Sequence, residues 1–261
     1  MKNIYLFFLS SLLPLAAMAQ ESSPPEFETD RPDRTEASSV VPKGYYQLET
    51  GFRYQKDRKN GIEQKEWMYP QALLRIGVFE KAELRLEGTY RRQDYRHADL
   101  LFQQHKGLSN LRVGTKIKLA EENGVLPETS VLGMLEMPLG HDQFEPEKVA
   151  PQIRLLFTNK LTQNLKLQYN VGYRRQKEQG DMENKLQYTA AFSGKLSEKL
   201  TLFAEFFGEK TKESRPKNQV DGGLQFMVLP NLQIDAIAGA GISSAAPEFF
   251  LGGGISLRLP Q

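Results

Sequence analysis

Charged side chains at alternate positions are the residues of this chain whose type and spacing could do chemistry. Arg85 and Glu87, for example, alternate with Leu84 and Leu86. In an extended strand, residues two apart project from the same face. Such charges on neighbouring strands predict either cross-strand ion pairs or a charged constriction. The candidates that we expect to line one common interior are Glu49, Arg85, Glu87, Arg112, Arg154, Asn170, Glu205, Asp221 and Asp235.

Catalytic and metal-binding residue types are scarce. The 261-residue chain has no cysteine and three histidines, His97, His105 and His141, all in polar stretches between apolar segments. No histidine alternates with a nearby serine, and no Gly-x-Ser-x-Gly motif occurs. We therefore predict no catalytic residue, no metal site and no cofactor. A loop metal site of His141, Asp142 and Glu145 is the one alternative that these residue types leave open.

The overall charge is nearly balanced. Lysine and arginine number 34 and aspartate and glutamate 32, which gives a net charge of +2. The chain lacks the basic field of a nucleic-acid-binding protein, so we expect no nucleic-acid partner. Beyond residue 20, no apolar run approaches the roughly 20 residues of a transmembrane helix. The average composition resembles that of a soluble protein, and only the residue pattern indicates otherwise.

The first nineteen residues have the pattern of an export signal. Lys2 precedes an apolar stretch over residues 4–15, and Ala17 and Ala19 flank Met18. A basic start, a short apolar core and a small-x-small site are typical of a cleaved signal peptide rather than a membrane anchor. We predict that residues 1–19 export the chain, and the absence of cysteine suits an oxidising compartment.

Apolar residues recur at every second position through most of the remaining chain, which predicts β-strands. The twelve segments with this period are 46–54, 72–78, 84–90, 111–119, 131–137, 153–157, 165–173, 186–192, 202–206, 220–228, 232–238 and 249–257. Pro70 falls inside the second predicted strand and weakens it, because proline cannot donate a hydrogen bond to a neighbouring strand. We expect a bulge or a strand start there.

The connections between these segments alternate in length. Short ones fall at 79–82, 120–126, 160–164, 197–199 and 229–231, and longer ones at 56–65, 93–106, 139–150, 176–184, 210–217 and 243–247. An even number of strands with tight turns at one end and long loops at the other is typical of outer-membrane barrels. We therefore predict that the apolar faces meet lipid and the charged faces line the lumen. A soluble β-sandwich or periplasmic barrel, with the apolar faces packed inside, is the alternative.

Residues 20–43 cannot form a strand, because Pro24, Pro25, Pro32 and Pro42 interrupt them. This N-terminal periplasmic segment is predicted to be either a disordered tail or a small plug. As a plug, it would pair Arg31 and Arg34 with lumenal carboxylates such as Glu49 or Glu205. Residues 44–261 would then form the barrel.

Glycine, proline and turn motifs extend over residues 29–258. They are Thr29-Asp30-Arg31-Pro32-Asp33-Arg34-Thr35, the stretches 41–51 and 107–116, Met137-Pro138-Leu139-Gly140, Val220-Asp221-Gly222-Gly223, and the stretches 229–235 and 239–241. In these motifs the chain resembles the outer-membrane transporter family named for the MetA pathway of phenol degradation. The resemblance implies a β-barrel channel, with hydrophobic or aromatic compounds as solutes.

The sequence thus predicts an all-β protein, a twelve-stranded antiparallel up-and-down transmembrane β-barrel in the cell outer membrane. Its expected function is passive, porin-like transport of small solutes, with outer-membrane lipid and an unidentified small molecule as partners. The pattern leaves the oligomeric state open. The alternative is a non-conducting structural or adhesive barrel whose loops bind a partner.

Overall fold

The alternation of apolar and polar residues produces twelve β-strands. The computed structural model describes residues 26–178, 181–212 and 214–261, so the predicted signal peptide over residues 1–19 lies outside the described residues. The strands are β1 (Tyr45–Lys59), β2 (Ile62–Phe79), β3 (Ala82–His97), β4 (Leu100–Ala120), β5 (Glu128–Glu136), β6 (Ala150–Lys160), β7 (Leu165–Glu178), β8 (Asp181–Lys195), β9 (Leu200–Lys210), β10 (Lys217–Leu229), β11 (Leu232–Gly241) and β12 (Phe249–Pro260). No helix within these ranges has the length and apolar character needed to cross a membrane.

The strands form one closed antiparallel barrel in which each strand pairs with its neighbours in sequence. The barrel closes where β1 pairs with β12, from Tyr45 opposite Pro260 to Lys56 opposite Phe249. Closure leaves no sheet edge with unpaired N–H and C=O groups, which would be costly in lipid. The predicted fold, a twelve-stranded antiparallel up-and-down barrel, is confirmed.

The two faces of the sheet differ sharply in chemistry. Leu84 and Leu86 are 47% and 48% exposed on the outside, whereas Glu49 and Arg75 are 0% exposed on the inside. An apolar exterior around a charged interior suits a barrel with lipid on its outside, because ionised groups are expensive in hydrocarbon. The alternative of a soluble sandwich with a central apolar core is therefore wrong.

The barrel has a terminal end, where β1 begins and β12 ends, and an opposite, distal end. The predicted long connections 56–65, 93–106 and 176–184 are wrong, because the strands continue through them. At the distal end, Asn60 and Gly61 both have positive φ, as do Ala98 and Asp99. Two consecutive residues of this kind form the tight turn that matches strand twist. The histidines predicted in 93–106 accordingly lie in strands, at the end of β3 and within β4.

Pro70 lies inside β2 instead of at its start. The pairing of β2 with β3 shifts register between Met68 and Gln71, and the pairing with β1 shifts between Gly51 and Arg53. The irregularity accommodates a residue without an N–H group. Of the two expectations for Pro70, the bulge is the correct one.

Candidate functional site

A segment of the chain runs through the barrel interior. Residues 26–43, which we call the lumenal segment, begin at the terminal end, where the Glu26 carboxylate lies 3.1 Å from the Lys195 ammonium. The Val41 N–H returns to that end and donates to Glu83 (2.6 Å). Between them, the Arg34 N–H reaches Glu205, halfway along β9 (2.9 Å). The lumenal segment is therefore a loop with its apex near Arg34.

Three cations converge on Asp30 of the lumenal segment. Its carboxylate lies 2.7 Å from Arg85, 3.0 Å from Lys116 and 3.2 Å from Arg75. Burial alone would raise the pKa of Asp30, but the charges of Arg75, Lys116 and Arg85 outweigh it and hold that pKa well below its usual range. Asp30 thus stays ionised and joins the lumenal segment to β2, β3 and β4.

The barrel wall completes this charge cluster. Arg75 donates from Nε and Nη2 to the two oxygens of Glu83, each at 2.9 Å, and from Nη1 to Glu49 at 3.1 Å. Glu49 also accepts the Asp30 N–H (3.0 Å). Paired, bidentate contacts of this kind offset the cost of burying charge. The lumenal segment therefore supplies one anion to a network that spans several strands.

The next residues of the lumenal segment contact the opposite wall. The Thr35 hydroxyl donates to Glu205 (2.5 Å) and contacts the Thr189 hydroxyl (2.7 Å). Glu36 lies 3.1 Å from both Arg85 and Arg154, with one carboxylate oxygen on each. These contacts reach β3, β6, β8 and β9. The lumenal segment is thus bonded to strands on both sides of the barrel.

Asn170 holds the main chain of the lumenal segment at Glu36. Its amide oxygen accepts the Glu36 N–H (2.8 Å), and its amide nitrogen donates to the Glu36 carbonyl (3.0 Å). One side chain therefore satisfies both backbone groups of the half-buried Glu36, as an adjoining strand would do.

Arg31 pairs with Asp235, a lumenal carboxylate on β11. Its guanidinium lies 3.1 Å from Asp235, not on Glu49 or Glu205. The Arg31 side chain reaches Asp235 across the backbone of Gly51 and Gly254, where any Cβ would collide with it. Arg31 thus pairs with a lumenal carboxylate, as predicted, although not with either of the two examples. The predicted pairing of the Arg34 side chain is wrong, because among the described residues only the main-chain N–H of Arg34 reaches Glu205.

Three of the predicted lining residues, Glu87, Arg112 and Asp221, make no hydrogen bond to the described residues of the lumenal segment. Arg112 bridges Glu87 (3.3 Å) and Glu136 (3.4 Å) along the wall. Asp221, whose two carboxylate oxygens are buried, makes none of the hydrogen bonds of the lumenal segment and lies beside Glu205. Arg53, which stacks on Phe250 with its guanidinium 3.7 Å from the ring centre, has buried nitrogens without hydrogen-bond partners within the described ranges.

Sequence reasoning selected the interior face but missed the residues at the centre of the charge network. Asp30, Arg75, Glu83 and Lys116 were not among the candidates, although all of them are buried and paired. The alternation of β2, β3 and β4 already placed the last three on the charged face. The one signal at Asp30 is its place in the motif from Thr29 to Thr35, which gives no indication of its partners.

The lumenal segment lies between two cavities. The distal cavity, of about 780 Å³, is bordered by Arg34 and by residues of the distal strand ends such as Lys59 and Gln64. The terminal cavity, of about 290 Å³, is bordered by Asp33 and by residues of the terminal turns such as Asn164. The two consecutive residues at the apex therefore border different cavities, Asp33 the terminal one and Arg34 the distal one.

The residues around these cavities give no sign of a metal centre. In the described part of the chain, no group of three or more histidine, aspartate or glutamate side chains is arranged to hold a metal ion. The alternative of a site built from His141, Asp142 and Glu145 has no such geometry to support it.

The barrel resembles solved outer-membrane structures at low sequence identity. An outer membrane channel from Pseudomonas putida F1 has a TM-score of 0.63 and 10% identity, over 92% of this chain and 100% of that one. The β domain of the Bordetella autotransporter BrkA has a TM-score of 0.53 and 10% identity, over 82% of this chain and 99% of that one. The transport unit of the autotransporter AIDA-I from Escherichia coli has a TM-score of 0.52 and 10% identity, over 97% of both chains. At such identities the likeness shows the fold alone.

Sequence comparison is more specific about the family. No curated protein matches the chain at a significant level. Residues 29–259, however, match the family described as "Putative MetA-pathway of phenol degradation". The match includes most of the lumenal segment and the barrel strands through β12, and it confirms the predicted resemblance. The chain therefore belongs to this family.

Proposed function

We propose that this protein is an outer-membrane channel through which small solutes diffuse passively. The observation that carries the proposal is a charged lumen that holds a cavity on each side of the lumenal segment, inside a barrel with an apolar exterior. A purely structural barrel has no need of such cavities. The terminal end would face the periplasm and the distal end the cell exterior, because the longest connection, 137–149, lies at the distal end.

The proposed solutes are small aromatic compounds, in keeping with the phenol degradation named in the family description. Phe203, Phe207, Ile237 and Phe250 form a buried apolar cluster on the inner wall. Phe207 borders the distal cavity and Phe203 the terminal one. An aromatic solute would therefore meet apolar surface along one side of an otherwise charged lumen.

The lumenal segment acts in this proposal as a plug that restricts passage. It lies between the cavities and is bonded to several strands, so a solute can pass only where the segment leaves room or moves aside. Transport needs no catalytic residue, and we expect no enzymatic activity from this chain.

A reversible cross-link tests both the channel and the plug. The Ser38 and Thr158 hydroxyls lie 2.7 Å apart, and the chain has no cysteine of its own. We expect the Ser38→Cys/Thr158→Cys variant in planar bilayers to conduct less when oxidised than after reduction. A matched control joins two strands of the wall on its outer face, where Tyr173 lies opposite Leu186 across β7 and β8 (Tyr173→Cys/Leu186→Cys).

The outcomes separate the two parts of the proposal. Conductance that rises on reduction of the Ser38–Thr158 pair, but not of the control pair, supports a movable plug in a channel. Conductance that is equal in both redox states contradicts the plug. A barrel that neither conducts ions nor swells liposomes in either state contradicts the channel and favours the structural or adhesive alternative.

A further inference from the structure

The distal cavity is strongly basic. Among the described residues that border it, eight are lysine or arginine and three are aspartate or glutamate. The basic ones are Arg34, Lys59, Arg91, Arg154, Arg174, Lys177, Lys185 and Lys217. A concave surface with one dominant sign of charge concentrates ions of the opposite sign. The distal cavity therefore favours the entry of anions.

Arg34 differs from the other arginines at the floor of this cavity. Arg154 lies 3.1 Å from Glu36, and Arg174 lies 3.0 Å from Glu209, so each has a carboxylate partner. The Arg34 guanidinium forms no salt bridge or hydrogen bond with any other described residue, and its side chain is exposed to the cavity. Its five N–H donors are thus available to a ligand.

The surroundings of Arg34 also include an aromatic wall. Its guanidinium lies 6.0 Å from the centre of the Phe207 ring, and Phe207 borders the same cavity. Three carboxylates act on Arg34, those of Glu205, Glu209 and Asp221, but none forms an ion pair with it among the described residues. Glu205 is bonded to Thr35 and to the Arg34 main chain, and Glu209 is bonded to Arg174 and Lys185. A forked cation beside an apolar ring matches a carboxylate attached to an aromatic group.

We propose that Arg34 and Phe207 form a binding site for small aromatic carboxylates at the floor of the distal cavity. The carboxylate would accept hydrogen bonds from Arg34, and the ring would pack against Phe207. The proposal rests on the proposed function, and it narrows the solute class from aromatic compounds in general to aromatic acids.

Calorimetric titration of the detergent-solubilised full barrel tests the site. Benzoate is the probe, with benzyl alcohol and benzylamine as the neutral and cationic ligands of similar shape. We expect Arg34→Gln to weaken benzoate binding about tenfold, because one charge-assisted contact is lost. Benzyl alcohol should bind weakly and equally to both proteins. Arg175→Gln removes the same charge from the exposed outer face of β7 and should leave benzoate binding unchanged.

Each outcome is decisive for the site. Equal benzoate affinity in wild type and Arg34→Gln overturns the proposal, as does wild-type binding of benzylamine that equals that of benzoate. The second comparison uses the wild type alone and does not depend on the folding of any variant. Benzoate binding by a barrel that does not conduct would leave the site standing and contradict the channel. A barrel that conducts but shows no preference for benzoate would support the channel and contradict the binding site.

Discussion

Asp30 is the residue that ties the lumenal segment to the charged wall. Arg75, Arg85 and Lys116 all lie within 3.2 Å of its carboxylate. Removal of one partner from a buried ion cluster leaves uncompensated charge and commonly costs about 3–5 kcal/mol. The cost falls on docking of the lumenal segment, because the three cations keep their places in the wall.

We therefore expect Asp30→Asn to release the lumenal segment and raise single-channel conductance in planar bilayers. The control is Glu121→Gln, which removes an acid from an ion pair with Lys118 at an exposed position. It should conduct like the wild type. An Asp30→Asn barrel with wild-type conductance would mean that the cluster does not hold the segment.

Gly77 marks the place where the lumenal segment leaves the interior. A Cβ at this position would collide with the carbonyl oxygen of Pro42, which is backbone and cannot rotate away. We expect Gly77→Ala to displace the end of the segment and raise conductance. Gly194→Ala has nothing within 4 Å of the added carbon and should leave conductance unchanged. Equal conductance of both variants would contradict a tight fit at Gly77.

At the scale of elements, the lumenal segment carries two acids, Asp30 and Asp33, whose protonation has opposite effects on docking of the segment. Burial, together with the negative charges of Glu205 and Asp221, raises the pKa of Asp33 well above its usual range. Asp33 lies outside the membrane-spanning strands and borders the terminal cavity. A docked segment therefore binds a proton at Asp33 more readily than a released one does.

The sign of the pH effect follows from that difference. The stabilisation that protonated Asp33 contributes to docking is complete below the ordinary aspartate pKa of about 4 and is lost as pH rises through its raised, docked value. Asp30 acts in the opposite direction, but its pKa is lowered, so its contribution is lost only in strong acid. Acidification from neutral pH should thus favour docking and lower conductance.

The Asp33→Asn variant tests this assignment. Asparagine mimics the protonated acid, so the variant should conduct at neutral pH as the wild type does in acid, with a flatter pH profile. Asp99→Asn, in the exposed distal turn between β3 and β4, should keep the wild-type profile. A profile that Asp33→Asn does not change would assign the titration to other groups.

At the scale of the whole molecule, the apolar exterior determines how the barrel sits in a membrane. Leu86 and Leu101 are 48% and 47% exposed, but Leu86 lies within the apolar outer row of β3 between Leu84 and Tyr90, whereas Leu101 lies beside a distal turn. An arginine on the lipid face costs about 2–4 kcal/mol at the bilayer midplane and little near the interfaces. Because the two side chains are equally exposed, only their depth in the bilayer should make the cost of an arginine differ between them.

Leu86→Arg should therefore lower the folded fraction in lipid vesicles, and Leu101→Arg should not. The shift in electrophoretic mobility between folded and heated protein measures that fraction. Equal tolerance of the two substitutions would mean that the apolar belt is not centred where the strands indicate.

The sequence by itself determined which residues form strands and which face each presents. Arg85 and Leu86 point to opposite sides because the strand period of two is a local property of the backbone. The polar residues around Asn60-Gly61 favour a loop in the sequence, although Asn-Gly is itself a strong signal of a tight hairpin turn. Strands that extend beyond the lipid need no apolar face, so hydrophobic alternation could not detect them.

Only the tertiary structure decided the path of residues 26–43 and the partners of the interior charges. Arg31 reaches Asp235 instead of Glu49 because barrel closure and the paired glycines set which carboxylate lies within its length. Asp30 gained its three partners because β2, β3 and β4 lie side by side in the closed sheet. Ion pairing depends on distances of a few ångströms between residues far apart in sequence, and a periodic pattern carries no information about those distances.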